Sequence, residues 1–282
     1  MERTGAQNRE LTFTGAADYI ASSELKRAVN AAITLGRPLL IKGEPGTGKT
    51  MLAKSIAENL ELDLIVWSIK STTKAKEGLY VYDTVQRLYD SQFGESGVSD
   101  ISRYIHLGKL GEAFSSAAPS VLLIDEIDKA DIEFPNDLLW ELDMLSFYIP
   151  ETRETVTAKN TPIVVITSNA EKELPDAFLR RCVFHYIEFP DQNMMKDILA
   201  VHFPDLEERL ADHAMKAFYQ LREIRGVVKK PSTGELLDWI KVLQKEQVAV
   251  ESLLREIPLM GVLIKKEEDA AYVQRQHRGD TG

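Results

Sequence analysis

Cysteine is almost absent from this chain of 282 residues: Cys182 stands alone, so no internal disulfide can form and a reducing compartment is the natural setting. Long apolar runs are missing too. No stretch approaches the roughly eighteen residues that read as a membrane-spanning helix, and residues 1–10 are polar and charged rather than a hydrophobic leader. Both absences lead us to expect a cytoplasmic protein with no membrane span. Positive charge is in deficit. Lys and Arg number 34 against 44 Asp and Glu, giving a net charge of −10 and a pI near 5.2. An acidic chain gives nucleic acid a poor electrostatic footing. There is no H-E-x-x-H helix, and the five histidines are scattered, which excludes a zinc metalloprotease of that kind. No internal repeat is found.

What is present is organised around residues 43–50, GEPGTGKT, which fit the phosphate-loop pattern G-x-x-x-x-G-K-[ST] at every fixed position. The run before it, residues 38–42, is short and apolar, as a buried parallel strand should be. The run after it places Leu52, Ile56 and Leu60 four apart, with Ala53 and Ala57 beside them, on one face of a helix. Gly43, Gly46 and Gly48 allow conformations that turn successive N–H groups into one concavity, which the helix N-terminus completes as a phosphate site. Lys49 brings a cation to the β and γ phosphates, and the Thr50 hydroxyl is placed to ligate Mg²⁺. The expected nucleotide contacts are Gly43, Glu44, Pro45, Gly46, Thr47, Gly48, Lys49, Thr50 and Met51.

Taken in order, residues 1–12 show no strong period and read as a loose arm. Ser22 or Ser23 can cap a helix whose apolar face is Leu25, Val29 and Ile33, ending near Gly36. Residues 62–69, LDLIVWSI, read as a second buried strand. Residues 70–114 are polar, tyrosine-rich and interrupted by Gly78, Gly94 and Gly97; Val81, Val85 and Leu88 suggest one helical stretch, and 91–100 a mobile loop. An apolar strand over 121–124 ends in Asp125 and Glu126, and a helix is expected over 135–145. Residues 147–149 and 156–158 flank the polar 150–155 as a hairpin. Residues 163–166 make a further strand, closed by Thr167, Ser168 and Asn169. Strands alternating with helices imply an α/β fold, a parallel sheet sandwiched between helices. Past Pro190 the strand signals stop, while Met194, Ile198, Leu210, Phe218, Leu221, Leu236, Ile240 and Leu243 keep helical spacing. We therefore expect an α/β domain over 13–190, a small all-α domain over 191–265 and a polar tail over 266–282.

Asp125 follows the phosphate loop by a full α/β excursion. In such nucleotidases an Asp there holds Mg²⁺ together with the loop hydroxyl, here Thr50, while the adjacent acid, Glu126, activates the attacking water as general base. Asp128 and Lys129 are expected in a salt bridge or on a solvated face. Asn169 ends the next apolar strand, so a parallel sheet brings it beside the carboxylates, where a neutral amide can orient water and contact the γ-phosphate.

Together, GEPGTGKT, LLIDEID, ITSN and LPDAFLRRC resemble the AAA+ ATPases in motif order and spacing. FYIPETRETVTA, residues 147–158, resembles the hairpin that precedes sensor 1 in one branch, and residues 78–108 sit where that branch carries its helix-2 insert. KSTTKAKEGLYVYD, DEIDKADIEFPNDLLWELD and KKPSTGELLDW look most like the MoxR group. The resemblance covers roughly residues 13–265. It implies a P-loop AAA+ domain followed by a small all-α lid, with Asn169 as sensor 1. Arg181, or Arg180 beside it, is implied as a finger that reaches the nucleotide of a neighbouring subunit, which in turn implies a ring, usually a hexamer. Gly234 falls where the family's sensor-2 arginine is expected, with Lys229 and Lys230 just upstream as the nearest cations.

The function implied is ATP- and Mg²⁺-dependent, chaperone-like remodelling of a client protein complex. A metalloenzyme is one client class associated with the group, often with a von Willebrand factor A-domain partner. Two alternatives remain at this level. One is a nucleic-acid motor, weakened by the acidic chain and by Glu151 and Glu154 at the hairpin tip. The other is a non-hydrolysing switch or scaffold, against which Lys49, Asp125, Glu126 and Asn169 all count.

Overall fold

The computed structural model describes residues 11–94, 97–169, 171–253 and 256–279. Most of the N-terminal arm expected over 1–12 therefore lies outside the described residues. The chain divides into two compact units, one made of Met1–Gly43 with Lys49–Ile187 and the other of Glu44–Gly48 with Glu188–Gly282.

The first unit opens with α1 (Ser23–Leu35), whose start and stop are set by local chemistry. The Ser22 hydroxyl accepts the Leu25 N–H at 3.1 Å, and Gly36 closes the helix at φ 59°, a left-handed turn glycine adopts freely. Then follow β1 (Leu39–Gly43), α2 (Lys49–Leu60) and β2 (Asp63–Ser68). Between β2 and the next central strand lie α3 (Ala75–Leu79), β3 (Tyr80–Tyr82), α4 (Thr84–Phe93), β4 (Ile105–Leu107) and α5 (Lys109–Ser115). The chain continues through β5 (Ser120–Asp125), α6 (Phe134–Asp137), α7 (Leu139–Met144), the hairpin β6 (Ser146–Ile149) and β7 (Glu154–Thr157), then β8 (Ile163–Ser168), α8 (Asp176–Leu179) and β9 (Val183–Ile187).

Five of these strands form one parallel sheet in the order β2-β5-β8-β1-β9. Alternation along the central strands sorts their side chains onto two faces. Leu39, Ile41, Val121, Leu123 and Val165 meet Val29 of α1 and Leu52 and Ile56 of α2. Leu40, Leu122, Ile124, Val164 and Ile166 meet Phe114 of α5, Phe147 of β6 and Phe178 of α8. Burying both faces is what makes these strands near-continuously apolar. Each fully buried Leu or Ile contributes about 1.5–3 kcal/mol relative to exposure.

Three expectations need correction here. The strand 62–69 is not buried throughout: β2 is an edge strand paired only with β5 in its sheet, and Val66 is 42% exposed while Trp67 is covered. The helix expected over 135–145 divides into α6 and α7 at Leu138, which sits at φ −97°, ψ −6°. In the stretch after β2, Val81 belongs to β3 rather than a helix, and helix α4 runs into the 91–100 segment as far as Phe93. Residues 95 and 96 of that segment lie outside the described residues.

The second unit is helical: α9 (Gln192–His202), α10 (Glu208–Glu223), α11 (Thr233–Lys245), α12 (Met260–Leu263) and α13 (Glu267–Gly279). Met195, Leu199, Phe218, Leu221, Leu236, Trp239 and Ile240 fill its core. A capping box starts α11. The Ser232 hydroxyl accepts the Glu235 N–H at 3.5 Å, and Glu235 accepts the Ser232 N–H at 2.6 Å. Of the polar tail expected over 266–282, residues 267–279 form the helix α13 instead, and 280–282 lie outside the described residues. Its Val273 is fully buried in the same core, and Asp269 accepts the Val228 and Lys229 N–H groups, each at 3.0 Å. Those two backbone bonds hold the Asp269 carboxyl below its ordinary pKa.

Candidate active site

The phosphate loop leaves the C-terminal end of β1 and returns at the start of α2. Gly46 and Gly48 take φ 76° and 83°, conformations that side chains resist. The Lys49 side chain is 6% exposed, and its Nζ donates to the Gly43 carbonyl at 3.0 Å. A buried ammonium at the mouth of a helix is a site for an anion. Met51, two residues further, is exposed.

Residues Glu44–Gly48 belong to the second unit, and their packing there explains Gly46 on a second count. A Cβ on it would stand 2.2 Å from Ser232 Cβ. Within the same unit, Glu44 Oε2 accepts from Arg222 Nη2 at 2.7 Å. The Arg222 guanidinium lies 3.4 Å from the Phe189 ring centroid and also donates to the Pro231 carbonyl. Arg222, not Lys229 or Lys230, is thus the cation this unit sets against a phosphate-loop side chain. Sequence reading passed over it because it lies on α10, upstream of the segment where a cation was sought.

Lys49, Thr50, Asp125, Glu126, Thr167 and Asn169 all belong to the first unit. Because β5 and β8 pair in parallel, with Ile124 opposite Ile166, Asp125 and Thr167 emerge side by side at the C-terminal edge of the sheet. Thr50 Oγ1 donates to Asp125 at 3.0 Å (Oδ1) and 3.3 Å (Oδ2). Thr167 Oγ1 donates to Asp125 Oδ1 at 2.6 Å and accepts the Glu126 N–H at 2.8 Å. Glu126 sits at φ 59°, ψ 52°, left-handed for a residue with a Cβ. That conformation costs about 1–2 kcal/mol, and strain of this kind gathers at functional sites. Its carboxylate is held from two sides, with Asn169 Nδ2 donating to Oε1 at 3.0 Å and the Lys129 ammonium pairing with Oε2. That pairing raises the Lys129 pKa above its ordinary value.

The donor set suits Mg²⁺. A hydroxyl and one carboxylate are hard oxygen ligands, and this ion takes one or two carboxylates and completes its shell with water and phosphate. Among the described residues no group of three or more His, Cys, Asp or Glu could hold a metal by protein ligands alone. Thr50 and Asp125 offer the kind of oxygen ligands that a magnesium ion bound with a nucleotide would use.

Of the residues singled out in the sequence, Thr50, Asp125, Glu126 and Asn169 come together. Arg180 and Arg181 stand at the end of α8, both exposed. Arg181 Nε pairs with Asp143 Oδ2 at 2.5 Å, and its Nη1 donates to the Ala177 carbonyl at 2.9 Å. Cys182 beside it is inert by burial, its thiol pushed up to about 12 with the Asp143 charge adding to the effect. Asp128, expected in a salt bridge or on a solvated face, is 2% exposed and accepts the Glu171 N–H at 2.9 Å. Thr167 went unrecognised, since a threonine closing an apolar strand carries no signal until the register sets it against Asp125.

A glycine-turned phosphate loop following an inner strand of a parallel sheet, with a hydroxyl and a carboxylate at the ends of the next two strands, defines a P-loop nucleotide-binding site. Residues 39–191 match the profile of the ATPase family associated with various cellular activities (AAA), and the chain belongs to that family. A 26S proteasome regulatory subunit homolog of Methanothermobacter thermautotrophicus is 31% identical over 204 residues, covering 67% of this chain and 45% of the relative. The chaperone protein ClpB of Malacoplasma penetrans is 29% identical over 246 residues, covering 80% of this chain and 33% of the relative. The ATP-dependent zinc metalloprotease FtsH of Karelsulcia muelleri is 27% identical over 208 residues, covering 67% and 28%. The chain therefore spans less than half the length of each. Among the described residues, no helix is long and apolar enough to cross a membrane.

Proposed function

We propose that this chain is a Mg²⁺-dependent ATP hydrolase of the MoxR group that remodels or matures a protein complex. The observation that carries the reading is the hydroxyl–carboxylate pair of Thr50 and Asp125, 3.0 Å apart, beside a Glu126 whose carboxylate receives the Asn169 amide. Residues 43–51 cradle the phosphates, and Lys49 offsets their charge. Thr50 and Asp125 hold the magnesium ion, which when bound neutralises charge on the phosphates. Glu126 takes the proton from the attacking water, and Asn169 orients it. Arg181, with Arg180 as its alternate, reaches a neighbouring subunit's nucleotide, so the working form is a ring, a hexamer by family habit. For Arg181 this requires exchanging Asp143 for that nucleotide.

The chaperone and proteasome-subunit homolog among the relatives support protein remodelling. The MoxR-like segments point to an assembly client, a metalloenzyme with a von Willebrand factor A-domain partner being the class we favour, in the cytoplasm. An acidic chain argues against a nucleic-acid motor.

The test uses two inactive variants. Lys49→Ala should lose ATP binding in equilibrium dialysis, and Arg181→Ala should bind ATP yet not hydrolyse it. Mixed after confirmed subunit exchange, the two should regain activity, because some interfaces then pair an intact loop with an intact finger. Arginine fingers are worth about 10³–10⁵ in rate, so partial rescue stands well above background. A mixture that stays inactive, for this pair and for Arg180→Ala with Lys49→Ala, would refute the ring. Unchanged ATP affinity in Lys49→Ala would refute the loop assignment.

A further inference from the structure

Both oxygens of the Glu126 carboxylate already carry a partner from the same chain. A general base must present a carboxylate oxygen to water, yet here Oε1 receives the Asn169 amide and Oε2 the Lys129 ammonium. The second contact is built by the local backbone. Because Glu126 is left-handed, the chain doubles back at once into a single 3₁₀ turn over residues 127–129, closed by the Lys129 N–H on the Glu126 carbonyl at 3.0 Å. Ile127 and Ala130 anchor that turn in the core, and Lys172 Nζ clamps it further by donating to the Lys129 and Ala130 carbonyls at 3.3 and 2.8 Å. The turn therefore stays in place and delivers Lys129 to the glutamate three residues before it. Its strained backbone is partly accounted for by this delivery.

We propose that Lys129 is a positioning residue that restrains the Glu126 carboxylate and so slows hydrolysis at rest, an inference that rests on reading Glu126 as the general base. An ammonium on Oε2 competes with water for that oxygen and holds the side chain toward the turn. The restraint is reversible by its surroundings. The two side chains are 43% and 35% exposed, and ion pairs of such exposure bias an equilibrium by no more than about five-fold. Two further acids act on Lys129, Glu171 and then Asp125. Glu171, two residues past Asn169, is tethered by its N–H to buried Asp128.

The test measures steady-state ATP hydrolysis by the full chain carrying Lys129→Met, which keeps the apolar stem and removes the charge. The kcat should rise about two- to five-fold with KM for ATP unchanged. Lys129→Arg, which restores a cation, should stay near the wild-type rate, and the Lys129→Met/Glu126→Gln double variant should be as inactive as Glu126→Gln alone. If Lys129→Met does not fold, Lys129→Gln takes its place with the same expectation. A kcat at or below wild type in the neutral variant overturns the restraint, as does a double variant that keeps the gain. Failure of the underlying reading looks different: Glu126→Gln alone would then hydrolyse ATP at the wild-type rate.

Discussion

The sheet edge around Asp125 and the stretch between β2 and α5 are built on opposite plans. At the sheet edge, polar groups stand on strands whose apolar side chains are fully covered, and they engage one another: Thr50 and Thr167 on Asp125, Asn169 and Lys129 on Glu126. In the other stretch the helix α4 turns its apolar side chains outward, with Val85, Leu88, Tyr89 and Phe93 at 79%, 61%, 56% and 68% exposure. Those four share one helical face by spacing, and a Tyr89–Phe93 ring contact at 4.4 Å holds two of them together. What covers α4's polar side is firm. Asp90 is buried, receiving the Tyr104 hydroxyl at 2.9 Å and the Gln86 amide at 2.8 Å. The same amphipathic pattern has thus been used the other way round, and periodicity alone does not say which face looks inward.

Substitutions should expose this inversion. Leu123→Ala, in the fully buried centre of β5, should cost about 2–5 kcal/mol in denaturant unfolding. Leu88→Ser on α4, an equally apolar residue by sequence, should stay within about 0.5 kcal/mol of wild type, since it loses little buried area. Equal costs would mean that α4 is packed inward in solution. A smaller effect separates the units. Asp269 has a depressed folded-state pKa, so its anchoring of α13 is fully present above the ordinary carboxylate value of 3.8 and is lost as pH falls through the folded value. Amide exchange in α13 should accelerate in that acid range ahead of exchange in β5, and Asp269→Asn should show no such pH step.

The phosphate loop, both caps of α1 and the strand-end carboxylates were legible because each is written locally, in a spacing or a capping residue. What was not legible depends on strand register or on unusual local backbone. Thr167 acquires meaning only from the β5–β8 register, and the Glu126–Lys129 pairing needs a left-handed glutamate, which sequence gives no reason to expect. The tail 266–282 was misread for want of apolar residues, since one buried Val273 and a carboxylate capping two N–H groups suffice to dock α13. Edge position explains β2 in the same way, because an apolar run does not announce whether one of its flanks lacks a neighbour.

The central claim is that the strand-end pair divides its labour, with Asp125 serving the metal and Glu126 the water. Single-turnover hydrolysis by Glu126→Gln, measured with ATP binding on the same preparation, tests it most directly. The amide keeps the shape and the Asn169 neighbour but cannot accept the proton. We predict wild-type ATP affinity with hydrolysis slowed about 10²–10⁴-fold. A wild-type single-turnover rate in that variant would contradict the account and place the base elsewhere.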